Sequence, residues 1–201
     1  MLRSRIDLAA EPLLPGWAGR GWPLVARRFA PAESAVSGLA LGLPLPPFAA
    51  MRRVAVLMRR EDVVSATRPL RLHDAMRAAP ESWKPTLAKI ECLAARFALD
   101  VRVFGGLAWS ALTGLNYLSA RSDLDFLLTI PPADKLGELT AKLSLIEHAA
   151  PMRLDGEIVR ADGAGVHWRE LHARPREILV KTMGSACLLS IDAFLGGRPA
   201  S

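Results

Sequence analysis

The chain has 201 residues, enough for one large domain or two small ones, and its balance of 51% hydrophobic and 23% charged residues argues against disorder. A net charge of +6, mostly arginine, favours a polyanionic partner such as a nucleotide or an acidic protein. The basic residues are scattered and not interleaved with aromatics, so no nucleic-acid partner is expected. Cys92 and Cys187 have no Cys-x-x-Cys or Cys/His company, which excludes a disulfide framework or structural zinc; both are expected to act as small buried hydrophobes. Asp7 and Glu11 interrupt what would be a signal-peptide core, and glycines and prolines break the uncharged stretches 34–51 and 103–120. A cytoplasmic protein without membrane contact is the expectation.

Residues 1–75 are rich in Pro, Gly and Arg, with short apolar runs at Trp22 to Val25, Val36 to Leu43 and Arg53 to Met58. They predict a small β-rich domain, followed by a connector from Leu70 to Pro80. From Trp83 the texture becomes helical, with Leu87, Ile90, Leu93, Ala94 and Phe97 at helix spacing, and Asp100 then leads into a strand at Val101 to Phe104. The second domain, 83–201, continues with Gly105-Gly106, a short helix over Leu107 to Leu112, a loop, and a strand from Asp123 to Ile130. Pro131-Pro132 stops that strand ahead of a helix from about Ala133 to His148. Strands at Met152 to Val159 and Val166 to Trp168, joined by a turn at Asp162 to Gly165, precede a final helix expected over Arg176 to Phe194. The fold class is α+β: a mixed sheet with flanking helices after a small β-rich domain.

Chemistry concentrates between Gly105 and Glu157. A Gly-Gly turn lets backbone N–H groups approach phosphates, and Asp123 and Asp125, at i and i+2 of a strand, project from one face. Mg2+ wants oxygen ligands and usually completes its shell with phosphates and water, so a carboxylate pair suits it. A third acid on an adjacent strand would allow two ions about 3.5–4 Å apart. Asp155 is the candidate and Glu157, two residues on along the same face, the reserve. Ser122, Arg121 and Lys181 could contact phosphates, although charges flanking a strand are usually solvated. An isolated Asp-x-Asp is most often a solvated strand end, and Asp155-Gly156 could equally be a hairpin corner. Their combination with Gly-Gly shifts the balance towards catalysis. The four histidines have no metal-ligand spacing, no nucleophile elbow or P-loop is present, and Trp168 is more readily a core residue than a nucleobase platform.

Gly105-Gly106 with Ser122-Asp123-Leu124-Asp125 resembles the signature of the nucleotidyltransferase superfamily, with a longer gap than that superfamily usually has. More specifically, Phe104-Gly105-Gly106-Leu107-Ala108-Trp109, that longer gap, Leu154-Asp155-Gly156-Glu157, Val166-His167-Trp168-Arg169-Glu170 and Leu179-Val180-Lys181-Thr182 resemble the phosphoribosyl-dephospho-CoA transferases of malonate decarboxylase, the holo-acyl-carrier-protein synthases of that system. Arg5-Ile6-Asp7-Leu8 and Pro23 to Arg28 extend the likeness less sharply to the N-terminal third. The resemblance implies transfer of the 2'-(5''-phosphoribosyl)-3'-dephospho-CoA group from triphosphoribosyl-dephospho-CoA to a serine of the apo acyl carrier protein subunit of malonate decarboxylase, with release of pyrophosphate. It further implies that Asp123, Asp125 and Asp155 hold Mg2+ and carry catalysis, and that Gly105, Gly106, Ser122 and Lys181 bind substrate. The rival readings are a nucleotidyltransferase that adenylylates a small molecule or another protein, and a non-enzymatic basic binding module.

Overall fold

The computed structural model describes residues 11–30, 33, 37–49 and 53–197. The sequence features at Arg5 to Leu8, at Asp7, and in parts of the 34–51 stretch lie outside these. The chain divides into two compact units, one reaching to Thr67 and including Leu115–Tyr117, the other formed by Arg68–Gly114 and Leu118–Ser201.

In the first unit β1 (Val25–Ala26), β2 (Leu39–Pro44) and β3 (Arg53–Met58) form an antiparallel sheet in the order β1-β2-β3. Expected strand and observed strand coincide at Arg53–Met58, while the apolar run at Trp22 enters the sheet only at Val25. Trp17, 4% exposed, anchors the residues ahead of β1, its indole N–H donating to the Pro23 carbonyl at 3.0 Å. After β1, Arg27 grips the Glu33 carboxylate through Nη1 and Nη2 at 2.6 and 2.7 Å, and its Nε–H donates to the Leu41 carbonyl. That hydrogen bonding, aided by the Ala30 N–H, lowers the Glu33 carboxyl to about 2.

The second unit is built on a seven-stranded sheet. Its strands are β4 (Leu70–Arg71), β5 (Val101–Val103), β6 (Leu124–Thr129), β7 (Leu154–Val159), β8 (Gly165–His167), β9 (Ile178–Lys181) and β10 (Ala186–Leu189), lying side by side in chain order. All neighbours are antiparallel except β6 and β7, which are parallel. The helices are α1 (Leu72–Ala75), α2 (Lys84–Arg96), α3 (Gly105–Thr113), α4 (Leu136–His148), α5 (Trp168–Ala173) and α6 (Ile191–Leu195). None of the described helices is long and apolar enough to cross a membrane.

Alternation in β6 and β7 buries Leu124, Phe126, Leu128, Leu154 and Ile158 on one face and turns Asp125, Leu127, Asp155 and Glu157 to the other. Helices supply the rest of the core: Leu87 and Ile90 of α2, Leu139 and Leu143 of α4, and Trp168 of α5 are all within 2% of complete burial. Each such side chain contributes about 1.5–3 kcal/mol of apolar burial. Pro85 in the first turn of α2 fits where no intrahelical N–H is needed, and the Pro131-Pro132 pair ends the β6 segment before α4, as expected. Gly156 sits in mid-strand and not at a hairpin corner. A Cβ there would lie 2.2 Å from the Phe126 ring, its register partner on β6, so glycine makes room for that aromatic.

Four expectations need correction. The segment read as a connector contributes β4 and α1, whose Leu72 and Ala75 are fully buried. The final helix over Arg176 to Phe194 is instead the β9–β10 hairpin followed by the single short helix α6. Ile178 and Val180 alternate inward against Leu179, and Thr182 Oγ1 accepts the Gly184 and Ser185 N–H groups to close the turn. The strand read through Trp168 ends at His167, where α5 begins. Cys92 is exposed on α2 and Cys187 only half-buried.

Candidate active site

Parallel pairing of β6 with β7 sets Asp125 directly opposite Asp155. Neighbouring strands lie about 4.8 Å apart, so two carboxylates in register on one face share a small volume. Asp123 stands two residues before Asp125, immediately ahead of β6. It is delivered by a turn in which Ser122 Oγ accepts the Ser119 N–H at 2.9 Å, while the Ser122 N–H donates to the Ser119 carbonyl at 3.1 Å. Ser122 is thereby occupied in shaping the loop that presents the first aspartate.

The Gly-Gly turn meets the same carboxylate. Gly105 opens α3 with φ +61°, and a Cβ at that position would lie 1.8 Å from Asp125 Oδ2. Both the left-handed backbone and the close approach demand glycine. The Phe104 N–H donates to the Asp125 carbonyl at 3.2 Å, tying the turn to β6. The N-cap residue of α3, Phe104, has no side chain that could cap it. The first-turn N–H groups of Gly105, Gly106 and Leu107 lack intrahelical acceptors by construction, and the helix dipole adds partial positive charge at that end. Such an end suits phosphate.

Further along the face, Glu157 lies two residues past Asp155, opposite His167 on β8. Lys181 Nζ donates to Glu157 Oε1 at 2.8 Å. Glu157 therefore already has a cation, and its side chain is less exposed than that of Asp155, 23% against 44%. Of the two candidates for the third acid, Asp155 is the one in register with Asp125. Lys181 shares this face, with its ammonium directed to Glu157. Arg121 is exposed in the loop before Ser122.

Sequence reasoning missed a polar cluster beside Asp155. His167 Nε2 lies 3.0 Å from Asp155 Oδ1, and its Nδ1 accepts the Arg169 N–H at 3.1 Å as the N-cap of α5. The Arg169 guanidinium clasps both oxygens of Glu147 at the end of α4, with Nε to Oε2 at 3.0 Å, and Glu147 Oε1 also accepts the Leu154 N–H at 2.9 Å. Burial of Glu147 works to raise its pKa and is the largest influence. The Arg169 hydrogen bond, the Leu154 N–H and the charges of Arg169 and Arg153 together outweigh it, leaving the carboxyl below its ordinary range. The sequence signal was the Val166-His167-Trp168-Arg169-Glu170 run, but its acidic partners lie 12 and 22 residues away. Trp168 itself is core, 2% exposed, with its indole N–H donating to the Leu154 carbonyl at 2.9 Å, so it is no nucleobase platform.

Among the described residues no three His, Cys, Asp or Glu side chains already converge into a metal shell. What the face offers is hard carboxylate oxygen from Asp125 and Asp155, with Asp123 two residues before Asp125 in the chain, next to the start of a helix. Oxygen donors next to a helix start are chemically suited to phosphate-bearing substrates.

Comparison with known proteins shows the family. Residues 2–69 match the model of the phosphoribosyl-dephospho-CoA transferase MdcG N-terminal domain, and residues 70–191 that of its C-terminal domain. The chain is 46% identical over its whole length to a phosphoribosyl-dephospho-CoA transferase of Bradyrhizobium diazoefficiens, covering 88% of that protein. It is 33% identical to one from Xanthomonas campestris pv. campestris, with 96% of this chain and 90% of the relative aligned, and 34% identical to one from Xanthomonas axonopodis pv. citri, with 98% and 92% aligned. No solved structure matches it. The protein is an enzyme of the transferase class. It belongs to the phosphoribosyl-dephospho-CoA transferase family.

Proposed function

We propose that the protein transfers the 2'-(5''-phosphoribosyl)-3'-dephospho-CoA group from triphosphoribosyl-dephospho-CoA to a serine hydroxyl of the apo acyl carrier protein subunit of malonate decarboxylase, releasing pyrophosphate. The observation that carries this reading is the register of Asp125 with Asp155 beside the Gly105 turn, in a chain of this family. The serine oxygen attacks the phosphorus next to the ribose; a new P–O bond forms as the P–O bond to pyrophosphate breaks, and the serine proton passes to Asp155. The leaving pyrophosphate carries the electron pair away. Gly105 and Gly106 seat the triphosphate through backbone N–H groups.

Mg2+ fits the donor chemistry, because carboxylate oxygens are its preferred ligands and it usually takes its remaining ligands from phosphates and water. Asp123, Asp125 and Asp155 are the residues that would hold it. When bound, it would neutralise charge on the transferring and departing phosphates. The net charge of +6 favours encounter with an acidic precursor and an acidic carrier. Both substrates on this reading belong to the cytoplasm.

The test is the intact mass of purified apo carrier subunit after incubation with the enzyme, Mg2+ and the precursor, with Asp123→Ala alongside. The expected outcome is a mass gain equal to the whole prosthetic group with the parent and none with the variant. A nucleotide-sized gain with ATP in place of the precursor would point to adenylyl transfer instead, and no gain with either would leave a binding module.

A further inference from the structure

We propose that His167 is a positioning residue for Asp155, held in one tautomer so that its Nε2–H fixes Asp155 Oδ1 and leaves Oδ2 open to the reacting groups. This rests on the reading above that Asp155 belongs to the active site. The geometry begins with β8, whose last residue, His167, pairs with Glu157 on β7 and so stands diagonally across from Asp155. The strand ends there and α5 begins, with His167 at φ −62° and ψ 129° as N-cap. In that position Nδ1 accepts the Arg169 backbone N–H at 3.1 Å. A neutral imidazole has one acceptor nitrogen and one donor, so a ring accepting at Nδ1 carries its proton on Nε2. The Nε2 atom lies 3.0 Å from Asp155 Oδ1.

One neighbour competes for that nitrogen. Arg169 Nη1 lies 3.2 Å from His167 Nε2, but a guanidinium has no acceptor and can pair only with a ring nitrogen that has a lone pair. With Nδ1 already accepting, Nε2 has none to give. Arg169 is in any case engaged by both oxygens of Glu147. The ion pair from α4 to α5 thus holds the helix end that orients the ring, and the ring holds the carboxylate. The side chain of His167 is 18% exposed and that of Asp155 44%, so the device is shielded and the acid it serves is open. Such outer partners commonly fix the orientation of groups that do the chemistry.

The bland alternative is that His167 only caps α5. Two substitutions separate the roles. His167→Asn keeps an acceptor at the position of Nδ1 and is among the best N-caps, but it stops one bond short of Asp155. His167→Gln places an amide N–H at the position of Nε2 and gives up the cap.

For positioning, His167→Asn should melt like the parent and lose roughly ten- to a hundredfold in kcat at unchanged KM, the scale of a lost hydrogen bond to a charged group. His167→Gln should melt lower yet keep kcat within about threefold, since the donor to Asp155 remains. A readout independent of turnover comes from long-range proton–nitrogen NMR of the imidazole, which should show Nε2–H and an unprotonated Nδ1, with the Nε2–H resonance shifted in Asp155→Ala. The opposite pattern, an active Asn and an inactive Gln variant, or a ring protonated on Nδ1, would overturn the inference, as would loss of activity in both variants at parental melting temperature. If Asp155→Ala is inactive while His167→Asn is fully active, only the inference fails. If Asp155→Ala turns over normally, the role of Asp155 fails and the inference with it.

Discussion

Asp125 Oδ2 occupies the space into which a Gly105 side chain would grow: a Cβ built there would lie 1.8 Å from that oxygen. Backbone and carboxylate are therefore fitted to each other, and neither can change alone. Gly105→Ala must move Asp125 or distort a residue at φ +61°, at a backbone cost of about 1–3 kcal/mol. Displacing a reacting group by an ångström commonly costs about a hundredfold in rate, and a loss of that order in kcat is expected. Steady-state kinetics on a variant whose circular dichroism matches the parent would check it; parental turnover would separate the glycine from the chemistry.

Gly156→Ala probes the opposite face of the same sheet. The added methyl would meet the Phe126 ring, which is fully buried, so the core has to shift. A destabilisation of about 1–3 kcal/mol is expected, the usual range for overpacking. Urea unfolding would show it as a lower midpoint at unchanged slope.

Asp125→Asn keeps shape and removes charge. Roughly a thousandfold loss of turnover is expected if the carboxylate holds the Mg2+ that would neutralise phosphate charge, with the stability of the fold little changed. Titration of Mg2+ in the presence of precursor, followed by calorimetry, should show weakened binding in the variant.

Glu147 gives a pH dependence whose sign can be worked out. Its carboxyl lies below the ordinary value of 4.5 in the folded protein, so the folded state binds that proton less readily than the unfolded chain. The stabilisation is complete above the unfolded value and is lost as pH falls from there through the depressed one. Glu147→Gln should therefore be less stable than the parent at pH 7, with the gap narrowing on acidification below 4.5. Thermal melts of both proteins across that range would test it. A gap that stays constant would remove the Arg169 pair as its source.

The strands and helices that carry a continuous apolar pattern were legible in the sequence: β3 ends where its apolar run does, and α2 and α4 follow the spacing of their leucines. The C-terminal hairpin was not, because Ile178 to Leu195 is apolar enough to satisfy a helix. Only the inward-outward alternation of β9 and the hydroxyl-closed turn at Thr182 distinguish the two. At the candidate site, Asp123, Asp125, Asp155 and the glycines could be put forward from local pattern, and the register of Asp125 with Asp155 came only with the fold. His167, Glu147 and Arg169 could not, since their roles depend on partners on other strands and helices that no local spacing reveals.

The single parallel pair in the sheet governs how the active face comes into being. Parallel neighbours cannot be joined by a tight turn, and here the chain travels back along α4 before β7 can start beside β6. Asp125 and Asp155 are thus brought together by a long connection and not by a local turn, a contact whose loop-closure cost has to be met before the pairing rewards it. Fully buried leucines on that helix, such as Leu139 and Leu143, bear on activity without approaching a substrate, and lesions there would be felt first as a smaller fraction of chains able to react.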